Sequence, residues 1–433
     1  MRDRPRLPSS PAFWRSPLRG TRFTAVLGLV LLGGITVMFV TGLVSYAAYN
    51  PDLSPVNDTT PDKGLLGFYL FDWPAGPSWL YRLTQGTHVT LGVTLVPVLL
   101  AKLWSVVPKL FALPPARSLA HALERLSLLL LVGGGLFEFT TGVLNIQLEY
   151  VFPGSFYPLH FYGAWVFMSA FVVHAALKTP AAVRAVRAVR ERSTGDGGEG
   201  PVADEGRPAS VPPVDEAGLA STRPAEPTIS RRGALRLVGA SSLLLFLTTV
   251  GQSLGGPLRR TALLAPHGGA DPGGGPNGFQ INKTAAYAGI TEAETSADAW
   301  RLVVTGPAGT VRLSRADLLR LPQHSSSLPI ACVEGWSTAD QWWRGVRLRD
   351  LAALAGYDTA VPDLLVESLQ RHGAFRRAAL RANQVSDPRS LLALYVNGEP
   401  LSPDHGFPAR IIVPALPGVH NTKWVARLTF GDL

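Results

Sequence analysis

The sequence predicts a multi-domain chain: an all-α transmembrane helical bundle followed by a soluble α+β domain. Three observations predict it. Five apolar stretches are long enough to cross a bilayer, which takes about 20 helical residues. Lys and Arg collect at the ends of those stretches rather than on one face of a soluble segment. The last part, 279–433, has ordinary soluble composition, with short alternating runs bounded by turn residues. The chain carries a net charge of +9 with 46% hydrophobic residues, which suits a membrane protein with basic loops. No zinc-finger spacing, RNP-like motif or P-loop is present, so no nucleic-acid partner is expected.

Taken in order, a cytoplasmic tail (1–22) carries Arg2, Arg4, Arg6, Arg15, Arg19 and Arg22. A four-helix domain (23–180) follows, with spans at 23–46, 80–107, 119–146 and 156–177. The first apolar run is too long for a cleavable signal peptide, and no small-residue cleavage site follows it. The loop after it holds Asp52, Asp58, Asp62 and Asp72, with Lys63 its lone Lys or Arg. The second connection holds Lys102, Lys109 and Arg117; the third holds Glu149 and neither Lys nor Arg. Lys178, Arg184, Arg187 and Arg190 follow the fourth span. Every basic segment therefore falls on one side, the cytoplasm, of a cell membrane. Residues 181–229 read as a disordered cytoplasmic linker, on the strength of 192–227, which are rich in Gly, Pro, Glu and Ala without periodicity. A fifth span, 234–254 within the segment 230–256, then runs outward. A Gly/Pro-rich linker (257–278) leads to an extracytoplasmic C-terminal domain (279–433).

Just before the fifth span stands Ser230-Arg231-Arg232-Gly233-Ala234-Leu235. It resembles a twin-arginine export signal, which implies the twin-arginine export machinery as a partner. That route carries folded proteins, so the resemblance implies that the last domain takes up a cofactor before crossing.

Four histidines lie within the spans. His160 and His174 are 14 residues apart in the fourth. On a helix that separation is roughly 21 Å and close to four turns, so both rings share one face. His88 lies early in the second span and His121 at the start of the third. Depth pairs His88 with His160 near the outer surface and His121 with His174 near the inner one. Ionisable residues inside spans are costly and point to function. The arrangement resembles the bacterial diheme cytochrome b families. The resemblance implies two haem b groups, each held by two of these histidines, and electron exchange with a membrane quinone or quinol. Gly86, Gly92, Gly133, Gly134, Gly135, Gly142 and Gly163 would let a porphyrin or a neighbouring helix approach.

In the soluble part, strands are predicted at 300–306 and 310–313, then a helix at 314–321 with Ser314 as its cap and Asp317 in its first turn. A strand over 328–332 would end at Cys332, and a helix over 346–354 would end at Gly356. Strands at 391–396, 409–413 and 423–430 complete a mixed sheet. Cys332 is the chain's single cysteine, so it cannot form an intramolecular disulfide or a CxxC-type metal site. It is a buried apolar thiol, a reactive thiol, or one thiolate ligand to a metal that something else also holds.

Four features carry a sharper resemblance. They are Cys332-Val333-Glu334-Gly335-Trp336-Ser337, Gly345-Val346-Arg347-Leu348, Asn397-Gly398-Glu399-Pro400-Leu401, and His405-Gly406-Phe407-Pro408-Ala409-Arg410 followed by Asn421-Thr422-Lys423-Trp424. In this order they resemble the molybdopterin-binding oxidoreductase domain of the sulfite oxidase family. The resemblance implies a molybdenum–molybdopterin cofactor with Cys332 as the single protein ligand of the metal. It implies that His405 and Arg410 hold the pterin and its phosphate, that Asn421, Thr422 and Lys423 close on the phosphate, and that Ser368 and Asn282 are further cofactor contacts. Arginine's fork and lysine's ammonium suit a phosphate.

The run after Cys332 departs from the Gly-Asn-Arg-Arg pattern of eukaryotic sulfite oxidases and nitrate reductases, and their dimerisation domain is not expected after Leu433. It is closer to bacterial relatives that include reductases of oxidised methionine. Arg371, His372, Arg376 and Arg377 are either a site for an anionic or oxo-substrate or a solvated basic face. The expected function is two-electron oxygen-atom transfer on a small oxo-substrate, coupled to quinone through haem b, in the direction of sulfoxide reduction. The alternatives are a sulfite or other small-oxyanion oxidase, and a non-catalytic redox-sensing membrane module.

Overall fold

The computed structural model describes residues 18–53, 56–57, 71–110, 118–146, 156–194, 229–265, 276–372 and 375–433. Among them, five helices are long and apolar enough to cross a membrane. They are α1 (Thr21–Ala47), α2 (Leu80–Leu110), α3 (Leu119–Asn145), α4 (Tyr157–Thr194) and α5 (Arg231–Leu247). The chain forms two compact units.

The first unit comprises residues up to Phe39, then Leu91–Thr141 and His160–Phe246. Its core is a ladder on α1, Phe23, Leu27, Leu31 and Ile35, packed on Leu95, Val98 and Leu99 of α2 and Phe167 of α4. The four-residue spacing keeps these α1 side chains on one face. Gly34 abuts Leu95, and Gly134 abuts Phe167. Leu126, Leu129, Leu130, Val166, Val172 and Val173 point outward, so α3 and α4 are apolar beyond the face they bury. Basic groups tie the helix ends: Arg19 Nε donates to the Trp104 carbonyl at 3.0 Å, and Lys102 Nζ donates to that of Thr24 at 2.7 Å.

The linker boundary differs from expectation. α4 runs through Pro180 to Thr194, into the stretch expected as linker. There, Arg184, Arg187 and Arg190 alternate with Ala and Val at helical spacing, which favours continuation over disorder. The fifth apolar segment runs from Arg231 to Leu254, close to expectation, with a turn after Leu247 that leads into a short helix, α6 (Gly251–Leu254). The chain doubles back there, with a Cβ at Gly251 falling 1.8 Å from the Leu258 carbonyl oxygen, and Gly255 and Gly256 at φ of +73° and +59°.

The second unit comprises Val40–Thr90, Gly142–Leu159 and Leu247–Leu433. Its C-terminal part holds the short helices α7 (Ala285–Ala288), α8 (Glu292–Thr295), α9 (Arg315–Arg320), α10 (Leu348–Leu354) and α11 (Ala382–Ser386). Its strands are β1 (Leu302–Gly306), β2 (Gly309–Leu313), β3 (His324–Leu328), β4 (Gln341–Arg347), β5 (Leu364–Ser368), β6 (Arg377–Leu380), β7 (Leu391–Val396), β8 (Glu399–Pro400), β9 (Arg410–Ile412) and β10 (Val425–Phe430). They make two sheets where one mixed sheet was expected. The first has order β2-β1-β10-β5-β6, with β1 parallel to β10 and the other pairs antiparallel. The second has order β3-β4-β7-β8, with β9 also on β7. Leu302, Val304, Val366 and Leu428 of the first sheet share one core with Val346, Leu392, Leu394 and Ile411 of the second.

The ends of α1 and α2 belong to this same core through Ala47, Ala48, Tyr49, Trp73 and Tyr81. Asn50 and Gln384 exchange amide hydrogen bonds at 3.0 and 3.1 Å. Asn57 Oδ1 accepts from the Ala379 amide at 2.6 Å, and Trp73 Nε1 donates to the Ala415 carbonyl at 2.7 Å. Arg381 pairs with Asp52 and with Asp363.

Candidate cofactor site around Cys332

β3 ends at Leu328, so Cys332 lies beyond the strand and not at its end. Pro329 has no N–H to continue the ladder. Ile330 and Thr338 pair across the loop instead: the Ile330 amide donates to Thr338 Oγ1 at 2.9 Å, and the Thr338 amide to the Ile330 carbonyl at 2.9 Å. Inside this clasp, the Gly335 amide donates to the Cys332 carbonyl at 3.1 Å, and the Cys332 amide to that of Trp336 at 2.8 Å. Gly335 takes φ +88°, which a side chain would strain. The resulting turn presents a thiol that is 3% exposed. Burial, and then the Glu334 carboxylate, push the thiol well above the usual cysteine range. Asn282 Nδ2 lies 3.6 Å from Sγ.

Two further loops close on one another nearby. Ser402 caps the turn Pro403–His405 and bonds His405 Nδ1 through Oγ at 2.9 Å. Gly406, at φ +107°, lies so close to Lys423 that a Cβ would fall 2.9 Å from the lysine's own. Lys423 Nζ donates to the carbonyls of Asp404 at 2.8 Å and Lys283 at 2.6 Å. Arg410 Nη1 donates to the His405 carbonyl at 3.3 Å, with its guanidinium over the Trp343 ring.

These groups are cationic or latently so, and buried. Burial, then Arg410 and Lys423, bring His405 down to about 3. Burial brings Arg410 down to about 9 and holds Lys423 well below the usual lysine range, with Arg410 adding to the second. A buried cluster of this kind favours an anion. Buried polar atoms here also lack hydrogen-bond partners among the described residues: Asn282 Oδ1, His405 Nε2, Arg410 Nε, Thr422 Oγ1 and both ring nitrogens of His420. Each such atom costs about 1–3 kcal/mol unless a ligand meets it. A phosphate-bearing pterin offers the acceptors and donors they need. Among the described residues, no three His, Cys, Asp or Glu side chains converge as a metal cage, so a metal at Cys332 needs most of its ligands from elsewhere. The residues present fit molybdenum–molybdopterin.

Not every expected contact is open. The Ser368 hydroxyl is committed internally, donating to the Lys423 carbonyl at 2.7 Å and accepting from the Gln370 amide at 3.1 Å. Asn421 Oδ1 accepts from the Val413 amide at 2.8 Å and so shapes the loop. Arg371, His372, Arg376 and Arg377 are exposed, and Arg371 pairs with Glu294, which makes them a solvated face. Sequence reasoning missed His420, which is 0% exposed and packed against Tyr49 and Phe375. Its position beside Asn421 in the same run was the available signal.

The membrane-span histidines are placed as follows. His88 packs beside Gly42, where a Cβ would lie 3.0 Å from its ring. His160 Nδ1 meets Thr141 Oγ1 at 3.0 Å and Glu138 Oε2 at 3.1 Å. Such a carboxylate–histidine contact elsewhere fixes Nε2 as the metal-ligating atom, so His160 fits a haem ligand. His174 is half-buried on α4. The side chain of His121, on α3, lies outside the described residues. Of the glycines expected to admit a porphyrin or a neighbouring helix, Gly92 abuts Met38, Gly163 abuts Glu138 and Phe137, and Gly86 abuts Ser253. These three serve close approach of protein groups.

Residues 288–432 match the family described as oxidoreductase molybdopterin binding domain. The C-terminal part is a molybdopterin-binding oxidoreductase domain of the sulfite oxidase type. It is 34% identical over 132 residues to the uncharacterized oxidoreductase YuiH of Bacillus subtilis (strain 168), covering 30% of this chain and 65% of that protein. It is 32% identical over 158 residues to the mitochondrial sulfite oxidase of Rattus norvegicus, covering 30% of this chain and 29% of that one. The chain thus spans less than two thirds of the length of these relatives. Among solved structures it is similar to the sulfane dehydrogenase of Paracoccus pantotrophus, at 26% identity and a TM-score of 0.29, over 32% of this chain and 39% of that one.

Proposed function

We propose that the chain is a membrane-bound molybdoenzyme that joins a molybdenum–pterin centre outside the cytoplasm to the quinone pool through haem b, and that it reduces a sulfoxide or similar oxide. One observation carries the reading: a single buried thiol sits within a shell of buried, unpartnered polar groups, inside a domain of matching family. Bound there, the cofactor would supply two-electron oxygen-atom exchange.

The protein groups divide the remaining work. Cys332 would supply the thiolate that holds the metal, and burial keeps its thiol protonated otherwise. Asn282 Nδ2 faces the sulfur and steadies its charge. Arg410 and Lys423 hold the phosphate end, and neutral His405 offers Nε2 to the pterin. His88 with His160, and His121 with His174, would hold two haems, and the twin-arginine-like Ser230–Leu235 run would direct export of the loaded domain. Five apolar helices support membrane insertion.

The absence of Gly-Asn-Arg-Arg after Cys332 favours reduction. Similarity to sulfite oxidase favours a second reading, oxidation of a small oxyanion. Dye-linked assays of the purified membrane enzyme separate them. Reduced viologen should be oxidised by sulfoxides at least tenfold faster than an acceptor dye is reduced by sulfite. The reverse ratio selects the second reading, and no turnover with either class removes both.

A further inference from the structure

The Cys332 turn is held from outside the C-terminal domain proper. Tyr81, Gln85 and Val89 recur every four residues on α2 and so lie on one helix face. Gln85 Nε2 donates to the Val333 carbonyl at 2.5 Å. Val89 touches Gly335 so closely that a Cβ there would fall 2.7 Å from the valine's own. Tyr81 is 1% exposed, pairs its hydroxyl with that of Tyr49 at 3.2 Å, and lies within electrostatic reach of the Cys332 sulfur. From the other side, Ser253 Oγ on α6 donates to the Gly335 carbonyl at 2.5 Å, and the Gln252 carbonyl accepts from the Ser337 amide at 2.9 Å. Gly86 lets these two clamps meet, since a Cβ on it would fall 2.7 Å from Ser253 Oγ.

We propose that Gln85 and Ser253 are positioning residues for Cys332, so that the first turns of α2 and the segment after α5 form part of the catalytic site. They act through the turn rather than on the substrate. Val333 and Gly335 are two of the three residues between the thiol and Trp336, and their carbonyls are fixed by Gln85 and Ser253 respectively. Losing either clamp lets the peptide planes rotate and re-aims Sγ. Misplaced supporting groups at metal sites typically cost 10–100-fold in activity. The inference rests on the proposed function, because it takes Cys332 as the metal ligand.

The test uses the full-length membrane enzyme with Gln85→Met, Gln85→Glu and Ser253→Ala, and Leu83→Met as a control. Leu83 is exposed on α2 and takes no part in the clamp. Molybdenum content and the line shape of the Mo(V) paramagnetic signal are measured beside kcat and KM. Gln85→Met keeps the volume without a donor, and Gln85→Glu sets an acceptor against the Val333 carbonyl. The expected result is wild-type molybdenum content, an altered Mo(V) line shape, and kcat lowered about tenfold or more with KM within twofold. Gln85→Glu should be the more affected of the two, and Leu83→Met should match wild type. Unchanged line shape and kcat in Gln85→Met and Ser253→Ala, with molybdenum present in wild type, overturns this inference alone. A wild-type chain without molybdenum overturns the proposed function and this inference with it.

Discussion

At the scale of residues, the site is a collection of groups placed where water cannot solvate them. His405 is brought to about 3 and His420 to about 4, both chiefly by burial. The unfolded chain takes up these protons near the ordinary value of 6.5, while the folded one resists them. Protons are therefore bound more by the unfolded state, and stability falls as pH drops from about 6.5 toward 4. Each group contributes a slope of up to about 1.4 kcal/mol per pH unit over that window. Thermal melts of the detergent-solubilised, cofactor-free chain at pH 7.5 and pH 5 should show the loss. His420→Gln should make the pH dependence shallower; an equally steep profile in that variant would show that His420 titrates normally. Cys332, His405, Arg410 and Lys423 were singled out in the sequence through the runs that resemble a known family, and the structure brings His405, Arg410 and Lys423 into one buried cluster. His420 and the α2 face were not legible, since their relevance comes from burial and from packing between segments some 250 residues apart, as Gln85 and Val333 are.

Among elements, the long apolar helices were the easiest to read, because their lengths follow from bilayer thickness and composition alone. Their ends were harder. α4 continues past Pro180 because Ala- and Arg-rich sequence sustains a helix, and the chain turns back beyond Leu254, where Gly255 and Gly256 take positive φ. The short run before Cys332 looked like a strand by apolar content, yet Pro329 ends the ladder and side-chain hydrogen bonds take over. The strand β7 matched its expected span, 391–396, because it is apolar and bounded by turn residues. Gly345, within one of the recognised runs, has a packing reason: a Cβ there would fall 2.0 Å from the Leu392 carbonyl oxygen, where the β4–β7 register shifts. Gly345→Ala should therefore destabilise by about 3 kcal/mol, since backbone and not a flexible side chain must move. Differential scanning calorimetry checks it, and a midpoint within about 2 °C of wild type would show that the sheet yields without cost.

For the whole molecule, the second unit gathers the C-terminal end of α1, the N-terminal end of α2, the facing ends of α3 and α4, and the C-terminal domain. Charge placement assigned those helix ends to the side away from the cytoplasm, the same side as the C-terminal domain. The Asn50–Gln384 amide pair, the Trp73–Ala415 hydrogen bond and the α2 face on the Cys332 turn hold these helix ends and the C-terminal domain in one unit. The sequence could not show that these ends pack on the Cys332 turn, because nothing local encodes the pairing. Cys332 is the proposed protein ligand of molybdenum. That role is tested most directly by metal analysis and molybdenum X-ray absorption on the full-length chain and on Cys332→Ser, both purified from cells that make the cofactor. Wild type should hold about one molybdenum per chain, and Cys332→Ser should show one fewer sulfur neighbour around the metal. Equal sulfur coordination in the two proteins, or wild type without molybdenum, would contradict it.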